Sequence, residues 1–212
     1  MNSEASKKER GDLPNDSPTE EHVQPSESKM KVKTNTTDSR PVNTTAHTIS
    51  PTTTSLTSNL EQEIINKIVS AYGNIIEVIY VRPSRMKISV PPQDILRVAT
   101  FIKENFSFDH AESVSGTDYP KENKIEIIYH LSSYTDESII SKILALSSRV
   151  NRDEPQIPTL INIFKSVEYH ERETYEMLGV YFEGHPRMER FLLPEDWADI
   201  PPLRKDFRIK GR

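Results

Sequence analysis

No cysteine occurs in the 212 residues, which excludes disulfides, thiolate-ligated iron–sulfur clusters and Cys-based zinc sites within this polypeptide. Glycine is nearly as scarce. Its six residues stand apart at 11, 73, 116, 179, 184 and 211, so there is no G-x-G-x-x-G turn to cradle dinucleotide or flavin phosphates. No stretch approaches the ~20 apolar residues of a membrane helix, and no apolar run follows a basic start as a secretory signal demands. The Ser-rich start is reminiscent of a transit peptide, but Glu4, Glu9, Asp12, Glu20 and Glu21 oppose that reading. The formal charge of −5 mixes both signs, which argues against a nucleic-acid partner. Membrane association is therefore expected only indirectly, through a partner protein.

Aromatic residues are missing from the first third of the chain. Eight Tyr, seven Phe and one Trp all lie beyond position 70, beginning at Tyr72. Residues 1–58 are dominated by Ser, Thr, Asn, Pro, Lys and Glu. Such a segment buries too little apolar surface to offset the roughly 1–2 kcal/mol per residue of backbone ordering. A disordered extension is expected over 1–58, an α+β domain over 59–193, and an extended partner-docking tail over 194–212.

Within the domain, Ser58-x-x-Glu61 has capping-box form and opens a helix whose face is Leu60, Ile64, Ile65, Ile68, Val69 and Tyr72. Residues 75–81 and 86–90 flank Arg82-Pro83-Ser84 as a hairpin. Pro91 and Pro92 lead into a second helix with Ile95, Leu96, Val98, Ala99, Ile102 and Phe106 on one face. Residues 108–117 read as a strand ending at Gly116, and 124–131 as a strand that 142–150 can pair with; 138–146 fits either helix or strand. Ser166 is expected to cap a helix running to Leu178 with Gly179 as its stop, and a short extended piece follows at 181–184. The order predicts an α+β fold: a mixed, mostly antiparallel sheet with helices packed on one face.

The last helix places Arg172 at i,i+4 from both Glu168 and Glu176, which alone describes a solvated charged face. His170-Glu171 begins like H-E-x-x-H, but Thr174 stands where the second His is needed, so no zinc site is expected. His170, Glu173 and His185 form at best a weak acid/base cluster, and His185 before Pro186 reads first as a turn hydrogen bond.

A longer pattern changes the weighting. It runs through Ile157-Pro158-Thr159-Leu160, His170-Glu171-Arg172-Glu173, Glu176-Met177-Leu178-Gly179 and Phe182-Glu183-Gly184-His185-Pro186. It continues through Leu192-Leu193-Pro194-Glu195-Asp196-Trp197 to Pro202-Leu203-Arg204-Lys205-Asp206-Phe207. With Tyr129-His130-Leu131-Ser132-Ser133 and Arg149-Val150, this resembles the C-type subunit family of NADH-quinone oxidoreductase, the thirty-kilodalton (30 kDa) subunit family of complex I. The family usually carries Phe where Leu178 stands, and Ile200-Pro201 interrupts its usual spacing.

The resemblance implies a structural subunit in the peripheral arm of a proton-translocating complex, with no cofactor on this chain. FMN, iron–sulfur clusters and quinone are then implied on partner subunits: the large quinone-site, hydrogenase-like subunit and the iron–sulfur subunits beside it. The implied location is the cytoplasmic side of the cell membrane, or the matrix side if mitochondrial. The expected partner interface comprises His170, Glu171, Arg172, Glu173, Glu176, Gly184, His185, Pro186, Trp197, Leu203, Arg204, Lys205, Asp206 and Phe207. Arg172→Ala is expected to harm assembly more than folding. The tail holds too few apolar side chains to offset its own ordering, so a partner is expected to supply the pockets that order it. Equivalent subunits of F420H2- or ferredoxin-linked dehydrogenases or membrane-bound hydrogenases remain alternatives, as does a free-standing α+β binding module.

Overall fold

The computed structural model describes residues 59–197 and 201–208. The extension expected over 1–58, with Ser58 of the suggested capping box, lies outside the described residues. The chain runs α1 (Asn59–Tyr72), β1 (Glu77–Arg82), β2 (Arg85–Ser89), α2 (Ile95–Phe106), β3 (His110–Tyr119), β4 (Lys124–Ser132), β5 (Ile143–Asn151), β6 (Gln156–Pro158), α3 (Val167–Leu178) and β7 (Tyr181–Glu183). Five strands form one sheet in the order β1-β2-β5-β4-β3, and β6 pairs with β7 in a small second sheet. In the large sheet the β2–β5 pair is parallel and the other three pairs are antiparallel. This is the mixed, mostly antiparallel α+β arrangement that the sequence predicts.

Alternation across the strands decides which face is covered. Met86 and Ile88 of β2 align with Leu144 and Leu146 of β5, which align in turn with Leu131 and Tyr129 of β4. All six are buried, together with Ile64, Ile65 and Ile68 of α1 and Ile95, Val98, Ala99 and Ile102 of α2. Each large aliphatic side chain so buried contributes roughly 1.5–3 kcal/mol. The opposite face carries the charged positions instead, with Lys87 of β2 on Glu126 of β4 at 2.8 Å. The hairpin turn at Pro83-Ser84 has the positive φ at its second position (Ser84, φ 59) that a Pro-led type II turn requires.

Several local expectations are corrected. Glu61 has a task that the capping-box reading did not include. It is buried and accepts from the Ser84 N–H at 2.9 Å and Lys142 Nζ at 2.8 Å, tying the start of α1 to the hairpin turn and to the residue before β5. Leu96 projects away from the core, since the 3.6-residue period places it beside rather than on the stripe of Ile95, Val98 and Ile102. Residues 137–141 are a turn, and β5 begins only at Ile143.

Gly116 does not end β3; the strand continues to Tyr119. Its missing side chain serves packing. A Cβ there would sit 2.2 Å from Leu178 Cδ1 and 3.6 Å from Thr174 Cγ2, so α3 lies directly against β3 at this point. Gly116→Val is expected to destabilise the domain by about 1–3 kcal/mol through overpacking. In a double variant with Leu178→Ala, the loss should be smaller than the sum of the two single losses, because each change relieves the other. Urea denaturation of the three variants measures this.

Candidate partner-docking surface

Helix α3 is positioned by both of its ends. Ser166 occupies the expected cap position but makes no side-chain cap. Its hydroxyl donates to the Ala111 carbonyl at 2.9 Å and accepts from the Ala111 N–H at 3.2 Å, joining the start of the helix to β3. At the other end Gly179 takes φ 76 and its N–H closes on the Tyr175 carbonyl at 2.8 Å. Between these ends, the charged side chains that the sequence suggested would meet a partner turn largely inward.

Glu171 is wholly buried. It accepts hydrogen bonds from the Tyr129 hydroxyl at 2.9 Å, the Leu160 N–H at 2.9 Å and the Thr159 hydroxyl. Burial pushes its carboxyl above the usual range, and these three donors pull against that rise. Arg172 is 5% exposed and does not form the expected ion pairs with Glu168 and Glu176. Its Nε donates to the Glu189 carbonyl at 3.0 Å, and its guanidinium lies 4.6 Å from the Phe191 ring centre and 5.7 Å from that of Tyr169. Arg172→Ala would therefore remove a buried contact to residues 189–191 within the chain, in addition to the harm to assembly that the sequence leads one to expect.

Glu176 performs the same task one turn on. Its carboxylate accepts from the N–H groups of Phe191, Leu192 and Leu193 at 3.0, 2.9 and 2.6 Å, with Arg190 Nε at 3.6 Å. Burial acts to raise its pKa, but the backbone donors outweigh this and hold it below the usual carboxylate range. Thr174, at the position a second metal ligand would need, donates its hydroxyl to the His170 carbonyl at 2.9 Å. His185 keeps its turn role: Nδ1 accepts the Arg187 N–H at 3.1 Å, which leaves Nε2–H to donate to the Glu168 carbonyl at 3.1 Å.

The tail also turns back on its own chain. The Leu203 N–H donates to the Met177 carbonyl at 3.0 Å and Arg204 Nε to the Leu178 carbonyl at 2.8 Å, satisfying acceptors at the end of α3. The Lys205 N–H donates to Asp118 Oδ2 at 2.8 Å. Arg152 donates to both oxygens of Asp118, at 2.7 and 3.2 Å, and reaches Asp206 at 2.7 Å. Trp197 and Phe207 pack with ring centres 5.6 Å apart. Polar contacts, which the apolar-area argument left out, thus hold residues 203–206 against the rest of the chain.

α3 and its bound segments also leave large apolar side chains outside. Tyr169, Phe191, Leu192 and Leu203 are 57%, 44%, 48% and 59% exposed. Of the residues predicted for the interface, Glu173, Gly184, Pro186, Leu203, Lys205 and Asp206 are exposed; His170, His185, Trp197, Arg204 and Phe207 are half-buried; and Glu171, Arg172 and Glu176 are buried. Phe191 and Leu192 are additions to the predicted set, although the apolar run Phe191-Leu192-Leu193 ending at Pro194 carries the signal. Asp118 and Arg152 give little sequence signal, because their partner lies far along the chain.

Comparison with known proteins places the pattern. The family model described as "Respiratory-chain NADH dehydrogenase, 30 Kd subunit" matches residues 88–212. The chain belongs to this family. It is 37% identical over 125 residues to the C-type subunit of F(420)H(2) dehydrogenase from Methanosarcina mazei, covering 59% of this chain and 77% of that one. It is 40% identical over 124 residues to the C-type subunit of NADH-quinone oxidoreductase from Roseiflexus sp., covering 57% of this chain and 68% of the relative. Among solved structures, the membrane-bound sulfane sulfur reductase, an archaeal respiratory membrane complex, contains a chain that matches with a TM-score of 0.62 and 29% identity, over 70% of this chain and 86% of that one. A trypsin-resistant fragment of Nqo5, at 21% identity and a TM-score of 0.52 over 60% of this chain and 99% of that one, shares the fold.

In this 30 kDa family member, the buried Glu176 carboxylate yields a pH prediction. Its folded-state pKa lies below its ordinary value of 4.5, so its stabilising contribution is complete above that value and is lost as pH falls through the folded-state value. Glu176→Gln is expected to cost about 1–3 kcal/mol at neutral pH, a deficit that narrows in acid. Urea midpoints of both proteins across the acid range measure the convergence.

Proposed function

We propose that the chain is a structural subunit, carrying no cofactor, of the peripheral arm of a complex I-type NADH:quinone oxidoreductase that couples electron transfer to proton translocation. The observation that carries this reading is the family match over residues 88–212, which includes α3 and the tail. The absence of cysteine from the sequence agrees with it, since iron–sulfur clusters would need thiolates from other subunits. FMN, the clusters and the quinone site then belong to partner subunits. Among the described residues no helix is long and apolar enough to cross a membrane, which fits peripheral attachment, on the cytoplasmic side or the matrix side in a mitochondrion.

In this reading the outward side chains Tyr169, Phe191, Leu192 and Leu203, with the exposed parts of Trp197 and Phe207, meet the large quinone-site subunit, and neighbouring iron–sulfur subunits lie beside it. Apolar anchors surrounded by charges such as Glu173, Arg187 and Lys205 have the composition of an interface core and rim. The relative in Methanosarcina mazei supports a second reading, in which the same subunit serves an F420H2-linked dehydrogenase. Purification of the tagged chain from solubilised membranes, with mass spectrometry of what accompanies it, separates the two. Flavin- and NADH-binding subunits support the first, and an F420 oxidase subunit supports the second. Recovery of the chain alone would contradict both.

Leu203 provides the sharper test, because it is 59% exposed and its own domain makes little use of its side chain. Leu203→Asp is expected to weaken partner affinity by about tenfold or more, with the melting temperature of the free chain essentially unchanged. A parallel fall in melting temperature would mean that the side chain serves the fold instead.

A further inference from the structure

The tail's attachment converges on one buried group. The Asp118 side chain is wholly buried, and Arg152 beside it is 15% exposed. Two attachments meet at this carboxylate. It accepts the Lys205 N–H directly, and through Arg152 it reaches Asp206, whose side chain is 66% exposed. Hydrogen bonds to an ionised acceptor are the stronger kind, so removal of this one charge weakens both attachments together. Leu203 and Arg204, between these points and α3, are tied to the helix through the carbonyls of Met177 and Leu178. Meanwhile Leu203 faces outward.

We infer that Asp118 is a positioning residue for partner binding: with Arg152 and Asp206 it latches residues 203–207 into their docking conformation before a partner arrives. This rests on the proposed docking role of the tail. A tail already ordered loses less conformational freedom on association. If the latch is opened, apparent affinity falls in proportion to the fraction of chains whose tail stays ordered. Asp118 lies beneath the tail, so it acts on binding through residues 203–207 and not by touching the partner.

The test uses the full chain and the co-expressed quinone-site subunit from the same source. Asp118→Asn should release hydrogen-exchange protection at the amides of Leu203 and Lys205 in the free chain while leaving β4 and β5 amides protected. Partner affinity should fall by about tenfold. Asp206→Asn, at an exposed position that does not threaten folding, should move both readouts the same way by less. If Asp118→Asn does not fold, Asp206→Asn decides alone. Lost protection with unchanged affinity overturns the inference, as does protection that survives in either folded variant. Equal loosening of β4 and β5 also overturns it, since Asp118 would then be a fold residue only. Leu203→Asp separates the two levels. If it weakens binding and the Asp118 variant does not, the latch alone fails; if it leaves affinity intact, the docking role and the latch fail together.

Discussion

A carboxylate removed from water must find donors nearby, and the C-terminal half of this molecule is arranged around that requirement. Glu171, Glu176 and Asp118 are all buried, and each draws a different stretch of chain towards it. Glu171 holds the Thr159–Leu160 segment against β4, Glu176 holds residues 191–193, and Asp118 holds the tail. Backbone N–H groups supply much of the compensation. A segment with no regular secondary structure thereby gains fixed geometry without a core of its own. The alternative, leaving any of these acceptors unpaired in the interior, is strongly destabilising.

This arrangement explains how an irregular, proline-rich segment presents a defined surface. Arg172 extends the scheme with the opposite charge, gripping the Glu189 carbonyl and supporting the Phe191 and Tyr169 rings from beneath. Three carboxylates and Arg172 are thus turned inward while Tyr169, Phe191, Leu192 and Leu203 are left outward, which locally inverts the usual division. For an isolated protein that inversion is a liability. For a subunit whose outward face is covered on assembly it is a working arrangement.

Much of the fold is legible in the sequence because its strands and helices obey their own periods. The run Lys124–Ser132 places Ile125, Ile127, Tyr129 and Leu131 at alternate buried positions, and α2 follows a helical stripe apart from Leu96. Local chemistry misleads where long-range contacts override it. Ser166 has a capping residue type but is used by β3, and Glu61 is drawn to the hairpin turn. Gly116 looks like a strand end, yet it is a close-approach site whose reason, Leu178, lies sixty-two positions later in the sequence. The family is readable from the motif series between Ile157 and Phe207. The roles within it are not, because i,i+4 spacing says which charges can meet on a helix surface and nothing about whether that surface is buried. The tail defeats local reasoning in a related way: its apolar area is visible in the sequence, whereas its hydrogen bonds to Asp118, Met177 and Leu178 have no local signature.

Buried charge on α3 and β3 thus leaves apolar side chains outward, which the proposed docking role assigns to a partner. Hydroxyl-radical footprinting of the free chain and of the complex solubilised from membranes tests this most directly. Tyr169, Phe191 and Leu203 should be readily modified in the free chain and strongly protected in the complex, while Tyr134, also exposed, serves as an internal reference. Equal reactivity of those three side chains in both samples would contradict the account.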